Sequence, residues 1–573
     1  MKKIMALLLA LVMTISVMGF GTAFAAAETG SLVAGKNAPE GIDMTDPNNY
    51  FWQYDEPFEI HVSLQIQEVG ENSLVDGDTA DNNWWTRYYE DNYNIKFVVD
   101  WSASTVDYDQ KLAMAIASDN LPDAFVCKTP YWIAASKAGL LRDISEDFQK
   151  YGSERLLTIY NDMGDKGYST CSYDGEMTRL CNATITSEGV SCLMIRQDWL
   201  DKLGLEVPTT VAEVEEVAKA FKEAKLGGEN TVAILGSGND NKLYTTFDDS
   251  FNSCFGLDAL FQAKGAYPGY FYKNENGEMV YGSLTPEFKD ALEIAAKWYQ
   301  EGILDPEIGT RTTGFEPVNN GTCGMFFGQW WTLGYGNGAA FLNDPEADWR
   351  SYPIYNDNNE WVIKVPSVIG PMSLCVSAEA SDEVAHAVML VNNIQNELEG
   401  FATELTPEAA EWMPLRICVG PTNEVDYGRE FIFEVLDGKE NAEKYKGDPV
   451  WDGAYQMAKN LDKMIQNYVS EEEMTRQNII CSETDAQWQA LYAWIFGDAA
   501  YATHEATLEV EPALTYYTES MSMYWDNLRS LENRIVLSII VGQEDISVFD
   551  GFVEQWYAEG GREVLNEVTA ACA

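Results

Sequence analysis

"NNWWTRYYEDNYNIKFVVDW", Asn82 to Trp101, decides how the rest of the chain is read, because seven of its twenty residues are aromatic. Trp84, Trp85, Tyr88 and Tyr89 recur at helical spacing, and "NIKFVVDW" after them has strand character. Before them, "FEIHVSLQI" alternates as a strand does, and the loop "ENSLVDGDTADNN" joins it to the rings. The segment therefore reads strand, helix, strand.

The alternation continues. "YDQKLAMAIASD" is an amphipathic helix, "NLP" turns the chain, and "DAFVC" is a short buried strand, an order that predicts an α/β unit with a mostly parallel sheet. "GVSCLMIRQDWLDKLGLEVP" gives another strand and a short helix. Thr210 and Glu213 form a capping box for "VAEVEEVAKAFKEA". Thr285-Pro286 starts "EFKDALEIAAKWYQ", and Gly302 ends it. The C-terminal "SVFDGFVEQWYAEGG" puts Phe549, Phe552, Val553 and Trp556 on one helix face. No repeat or low-complexity tract interrupts the chain.

The chain starts with Lys2 and Lys3, an apolar run from Met5 to Met18, and small residues at Ala23 and Ala25, the pattern of a secretory signal cleaved before Ala26. No later segment reaches the roughly eighteen apolar residues of a membrane span. A length of 573 residues exceeds what one core organises, so two or more lobes are expected. Hydrophobic residues at 46% exclude general disorder. With 37 Lys+Arg against 91 Asp+Glu, the formal charge of -54 repels phosphate backbones and excludes nucleic acid as a partner. The ten cysteines form no C-x-x-C pair. Either two of Cys171, Cys181 and Cys192 are bridged or they remain buried thiols.

Catalytic signatures are absent. His61, His386 and His504 stand apart, without metal-ligand spacing, and there is no G-x-S-x-G elbow and no Walker loop. "GYGNGA", Gly334 to Ala339, follows bulky residues and reads as a loop. Paired carboxylates of the glycosidase kind are not excluded in so acidic a chain, though no motif marks them. What stands out is aromatic residues just past apolar strands: Trp330 and Trp331 in "GMFFGQWWTLGYG", Tyr131 and Trp132 in "CKTPYWIAASKAGLL". Rings at strand ends suit a cleft that stacks on the apolar faces of sugars.

In the same order from about residue 57 to 570, "WWTRYYEDNYNIKF", "YDQKLAMAIASDNLPDAF", "LMIRQDWLDKLGLEVPTTVAEVEEVAKAFKEA", "LTPEFKDALEIAAKWYQEGILDPE", "GMFFGQWW" and "IVLSIIVGQEDISVFDGFVEQW" resemble the large extracellular solute-binding proteins of bacterial ABC importers. The likeness is to the oligosaccharide- or aldouronate-binding lipoproteins, distant relatives of maltose-binding protein. It implies an α/β, two-lobed, periplasmic-binding-protein-like fold of type II, with hinge-linked lobes closing over a ligand. It implies a signal peptide over 1–25, a polar leader over 26–56, lobe 1 from 57–186 and 366–520, and lobe 2 from 187–365 and 521–573. In this reading Trp85 and Tyr88 seat the first helix on its sheet, and Trp101 faces the cleft. The match of "GQW" to the relatives' cleft tryptophan nominates Trp330, with Trp331 beside it. The loop after "DAF" nominates Lys128, Tyr131 and Trp132; the first strand-to-helix loop, Glu68 and Asn72; the turn "GSGNDNKLY", Asn239, Asp240 and Tyr244. Arg196 joins them from "IRQDWL", in which Asp198 reads as a helix cap.

The implied activity is capture without turnover: a monomer binds a small molecule, an oligosaccharide, outside the cell and delivers it to the membrane subunits of an ABC permease, with no cofactor or metal. Two departures from the relatives stand. The signal carries no lipobox cysteine, so the protein is released or held by other means. "KLGGENTVAIL" lacks the alternating oxygen ligands of the calcium loop many relatives insert there. The competing readings are a binding protein for peptides or another solute, and a secreted polysaccharide hydrolase or lyase.

Overall fold

The computed structural model describes residues 32–35, 52–66, 77–183, 190–236, 242–247, 254–311, 314–336, 338–365, 369–398, 412–417, 419–421, 424–482, 487–504, 506–514 and 517–572. The opening segment folds as read. Strand β1 (Phe58–Ile66) is followed by helix α1 (Trp84–Tyr93) and strand β2 (Ile95–Ser104). Asn83 caps α1 through a reciprocal capping box with Thr86, and Asn94 ends it in the left-handed region at φ 56°. Trp85, Tyr89 and Tyr93 are buried against the sheet, while Tyr88 stacks on Trp84 at the margin. The core starts earlier than the expected leader boundary, because Trp52 and Tyr54 are buried against Tyr93 and Phe58.

Helix α2 (Thr105–Ala117), strand β3 (Ala124–Lys128), helix α3 (Thr129–Lys137) and strand β4 (Leu180–Ala183) complete the N-terminal run. A second set comprises strand β5 (Cys192–Arg196), helix α4 (Val211–Ala224), strand β6 (Val232–Leu235), helix α5 (Pro286–Gln300), and strands β7 (Cys323–Gly328) and β8 (Trp349–Tyr352). The capping box at Thr210 and Glu213 and the Thr285 cap before Pro286 are both present. Strand β9 (Ile369–Val376) and helices α6 (Asp382–Leu398), α7 (Glu424–Leu436) and α8 (Glu519–Ile540) follow.

The first sheet runs β2-β1-β3-β9-β4, and the second β6-β7-β5-β8. Neither is mostly parallel. β1, β2 and β3 are parallel, whereas β9 lies antiparallel to β3 and β4. In the second sheet only β6 and β7 are parallel. The reason is the path of the chain: β9 arrives from the second unit and enters the first sheet from the opposite end.

Helices cover both faces of the second sheet. Leu193, Ile195, Ala233, Ile234, Met325 and Phe327 pack with α4, α5 and α8. Their neighbours Cys192, Met194, Val232, Leu235 and Phe326 pack with residues from Val425 to Ala500. The region from α7 onward therefore sits on the second sheet, where the sequence reading put all of 366–520 with the first. Residues 374–419 do pack with the first core. The chain thus passes between the two units three times, after Ala183, after Val365 and after Gly420. The stretch read as a loop at "GYGNGA" includes a helical turn over Thr332–Gly336 and the start of a helix over Gly338–Asn343. Its glycines allow this by close packing: a Cβ on Gly334 would lie 2.1 Å from the Gln489 carbonyl.

A wholly buried ion pair fixes the turn after β6. Lys364 lies 2.8 Å from Asp258, and its ammonium also donates to the Thr245 and Pro268 carbonyls at 2.7 and 2.9 Å. Asp258 in turn accepts from the Thr245 amide and hydroxyl. Removing one partner strands a buried charge. Asp258→Ala is expected to cost about 3–5 kcal/mol of unfolding free energy, measured by urea denaturation of the whole protein.

Candidate ligand-binding site

Both sheets end their parallel strands on an edge of one kind. β1, β2 and β3 stop at Ile66, Ser104 and Lys128; β6 and β7 stop at Leu235 and Gly328. Open α/β sheets bind ligands outside such carboxyl ends, where loops and helix N-termini leave backbone groups and side chains facing outward.

On the first edge, α3 begins directly after β3, with Pro130 in its first turn. This abrupt entry leaves Tyr131 half-buried at the rim and turns Trp132 inward. Trp132 is 5% exposed, its Nε1 donates to Thr178 Oγ1 at 2.8 Å, and the Arg179 guanidinium lies 3.8 Å over its ring. Buried Arg179 also donates to Thr129 Oγ1, Ser373 Oγ and the Thr170 carbonyl, at 3.0, 2.9 and 2.6 Å. It staples the turn after β3 to β9, so Trp132 supports the edge and does not line it. Trp101 lies half-buried in β2, its ring 5.0 Å from Tyr108, and borders the same small core as Tyr131. The Lys128 ammonium is 2.7 Å from Asp109.

On the second edge, Gln329, Trp330 and Trp331 follow β7. Gln329 is fully buried and accepts from Cys254 Sγ at 2.9 Å. Trp330 is 7% exposed, and its backbone presses on Gly497, where a Cβ would stand 1.9 Å from the Trp330 carbonyl. Only glycine fits there. Trp331 is the more exposed of the two, packing on the rim of the same core.

The edges are electrostatically linked. Burial pushes the Tyr131 phenol up to about 12, and the carboxylates of Asp109 and Asp526 add to the effect. Asp526 belongs to α8, which packs in the second core. A helix of one unit thus reaches the field of the other's rim. Neither Asp109 nor Asp526 was nominated from the sequence, since no local pattern marks an acid that meets its neighbour only through the fold.

Two nominated residues lie elsewhere. Arg196 ends β5, which runs antiparallel to β7, and so falls on the opposite edge of the sheet from Trp330. There it is buried in ion pairs with Asp198 and Asp344 at 2.6 and 2.9 Å, a clamp on the first turn of the next helix, in which Asp198 binds Arg196 instead of capping. Tyr244 is 2% exposed, deep in the second core, where its hydroxyl donates to Glu532. Glu68, Asn72, Asn239 and Asp240 lie outside the described residues. Among the described residues no group of three His, Cys, Asp or Glu side chains is arranged to hold a metal ion.

The sequence model for "Bacterial extracellular solute-binding protein" matches residues 71–389, more than half of the chain. The chain belongs to that family. This solute-binding protein is 22% identical over 510 residues to a polygalacturonan/rhamnogalacturonan-binding protein of Bacillus subtilis, covering 83% of this chain and 86% of the relative. It is 26% identical over 230 residues to lipoprotein LipO of the same organism, spanning 38% of this chain and only 41% of LipO. In structure it is similar to an HMO-binding, ABC-transporter-associated solute-binding protein of Bifidobacterium longum infantis, with TM-score 0.56, 17% identity, and 90% and 98% of the two chains covered. It is also similar to a Streptococcus pneumoniae substrate-binding protein in complex with kestose, with TM-score 0.56, 13% identity, and 90% and 98% covered. These likenesses show the two-lobed type II fold.

Because the folded state raises the Tyr131 pKa, the neutral phenol and its share of stability persist through pH 10 and are lost as pH climbs toward 12. Tyrosinate absorbance of wild type minus Tyr131→Phe is expected to be absent at pH 10.5. Asp526→Asn should move the onset of that absorbance downward; an unmoved onset removes the contact between lobes.

Proposed function

We infer that this solute-binding protein captures an oligosaccharide between its lobes and hands it unchanged to the permease of an ABC importer, working as a monomer outside the cell. The observation that carries the reading is the placement of half-buried rings toward the carboxyl ends of both sheets, Tyr131 just past β3 with Trp101 near the end of β2 on one lobe, and Trp331 just past β7 on the other. A pyranose or furanose ring offers apolar C–H faces to such surfaces, and contacts from two lobes favour the closed state over the open one. The binding of polygalacturonan, rhamnogalacturonan or kestose by relatives is consistent with it. We assign lobe 1 to 52–183 and 369–419, and lobe 2 to 190–365 and 424–572, on the packing of the two cores. The reading of residues 1–25 as an export signal supports a place outside the cell membrane, released or held there by other means than a lipid anchor. No step of catalysis is assigned to it.

The test is a thermal-shift screen of the chain from Ala26 onward against oligosaccharides, uronate oligomers and short peptides. A ligand at a hundred times its Kd adds about 2.7 kcal/mol to stability. A glycan that raises Tm and is recovered intact supports capture. A cleaved glycan shows an enzyme, and a shift with peptides alone removes the sugar.

The two adjacent tryptophans should separate. Trp331→Ala is expected to weaken glycan binding at least tenfold, or about 1.4 kcal/mol, by titration calorimetry. Trp330→Ala should chiefly destabilise the fold, by about 3–5 kcal/mol, since it empties a packed site.

A further inference from the structure

Lobe 1 encloses a pair of thiols that capture does not use. Cys171 follows the short helix Asp165–Thr170, and Cys181 lies in β4. Both are fully buried, with Sγ atoms 2.9 Å apart, so that a movement of less than about 1 Å brings them to the roughly 2.05 Å of a bonded pair. The intervening chain folds back on itself as a hairpin of Ser172–Tyr173 on Glu176–Met177, turned at Asp174 and Gly175 with φ of 51° and 90°. The Thr178 amide donates to the Cys171 carbonyl at 3.1 Å, closing the base of the hairpin. The Tyr160 hydroxyl donates to the Cys181 carbonyl at 2.7 Å and accepts from its amide at 3.0 Å, holding the second cysteine in place.

Two other pairings among the described residues do not match this geometry. Cys127 and Cys375 are 3.9 Å apart on neighbouring strands but out of register, Cys127 facing Ser373 and Cys375 facing Phe125. Cys192 belongs to the core of the second lobe.

We propose that Cys171 and Cys181 form a disulfide bond in the exported protein. The proposal rests on the export half of the functional reading and is independent of the ligand. In the chemical step the Cys181 thiolate attacks a disulfide-bearing oxidant, such as oxidised glutathione, forming a mixed disulfide and releasing one thiol. The Cys171 thiolate then displaces the second thiol, so two electrons pass to the oxidant and the two cysteine protons end on its thiols. Because both sulfurs are enclosed afterwards, the bond forms before the lobe closes and resists reductants in the native state.

The bond would brace the ligand edge from behind. Tyr173 of the hairpin meets the Trp132 ring edge-on at 6.4 Å, and Thr178 accepts the Trp132 indole hydrogen. Cys181 also stands two residues before Ala183, where the chain leaves for the second lobe.

The experiment is alkylation, in denaturant with N-ethylmaleimide, of the full exported chain purified without reductant and refolded in the presence of oxidised glutathione. Of ten cysteines, all but two should alkylate, and trypsin should release Gly167–Arg179 joined to Leu180–Arg196. Since the second peptide also holds Cys192, the link must persist in Cys192→Ser and vanish in Cys181→Ser. With a phosphine reductant present throughout the melt, Tm should fall by about 5 °C or more, and the Cys171→Ser/Cys181→Ser protein should show no further fall. Ten alkylated cysteines, or a link through another pair, would overturn the proposal. Glycan binding by either form is read separately and decides only the ligand assignment.

Discussion

A parallel strand cannot be followed by its neighbour through a tight turn; the chain must return across the face of the sheet, and it does so as a helix. That requirement organises this protein. It covers β1 to β3 with α1 and α2, and places every loop that follows a parallel strand on one edge. Tyr131 reaches the rim because α3 begins there without a spacer, and Trp331 because β7 ends at Gly328. The ligand surface is thus a by-product of connectivity, sharpened by the buried Arg179, which holds the turn after β3 against β9 through hydroxyls and a carbonyl.

What the chain revealed in advance was what depends on neighbours in sequence. The capping box at Thr210, the Thr285 cap before Pro286, the helical spacing of Trp85 and Tyr89, and the strand before Gln329 follow from local chemistry and appear where expected. Contacts made at long range were not visible. Whether a ring after a strand is core or rim depends on what stands behind it. Trp330 has Gly497 at its back and Trp132 has Arg179 over its face, so of each adjacent pair only Trp331 and Tyr131 remain at the surface.

The same limit explains the lobe assignment. Nothing in the composition of α7 distinguishes a helix covering the first sheet from one covering the second; the choice is made by the alternation of Cys192, Met194 and Phe326 on a face that needed a cover. Arg196 stands apart from the rims for a related reason. Its strand runs against its neighbour, a direction sequence does not display, and this carried it to the far edge.

Strand β9 also sets an order of assembly. The first sheet needs residues 369–376 between β3 and β4, yet the whole of the second sheet is encoded before them. As an unfolded chain emerges on the far side of a membrane, the second sheet can close at Tyr352 while β3 still has a bare edge. Pairings of such sequence separation are slow, and an unpaired strand is open to wrong partners. Maturation of this protein should therefore wait on its middle, and a chain interrupted before Val376 would carry a second sheet complete in its strands but still uncovered, beside an unfinished and adhesive first one.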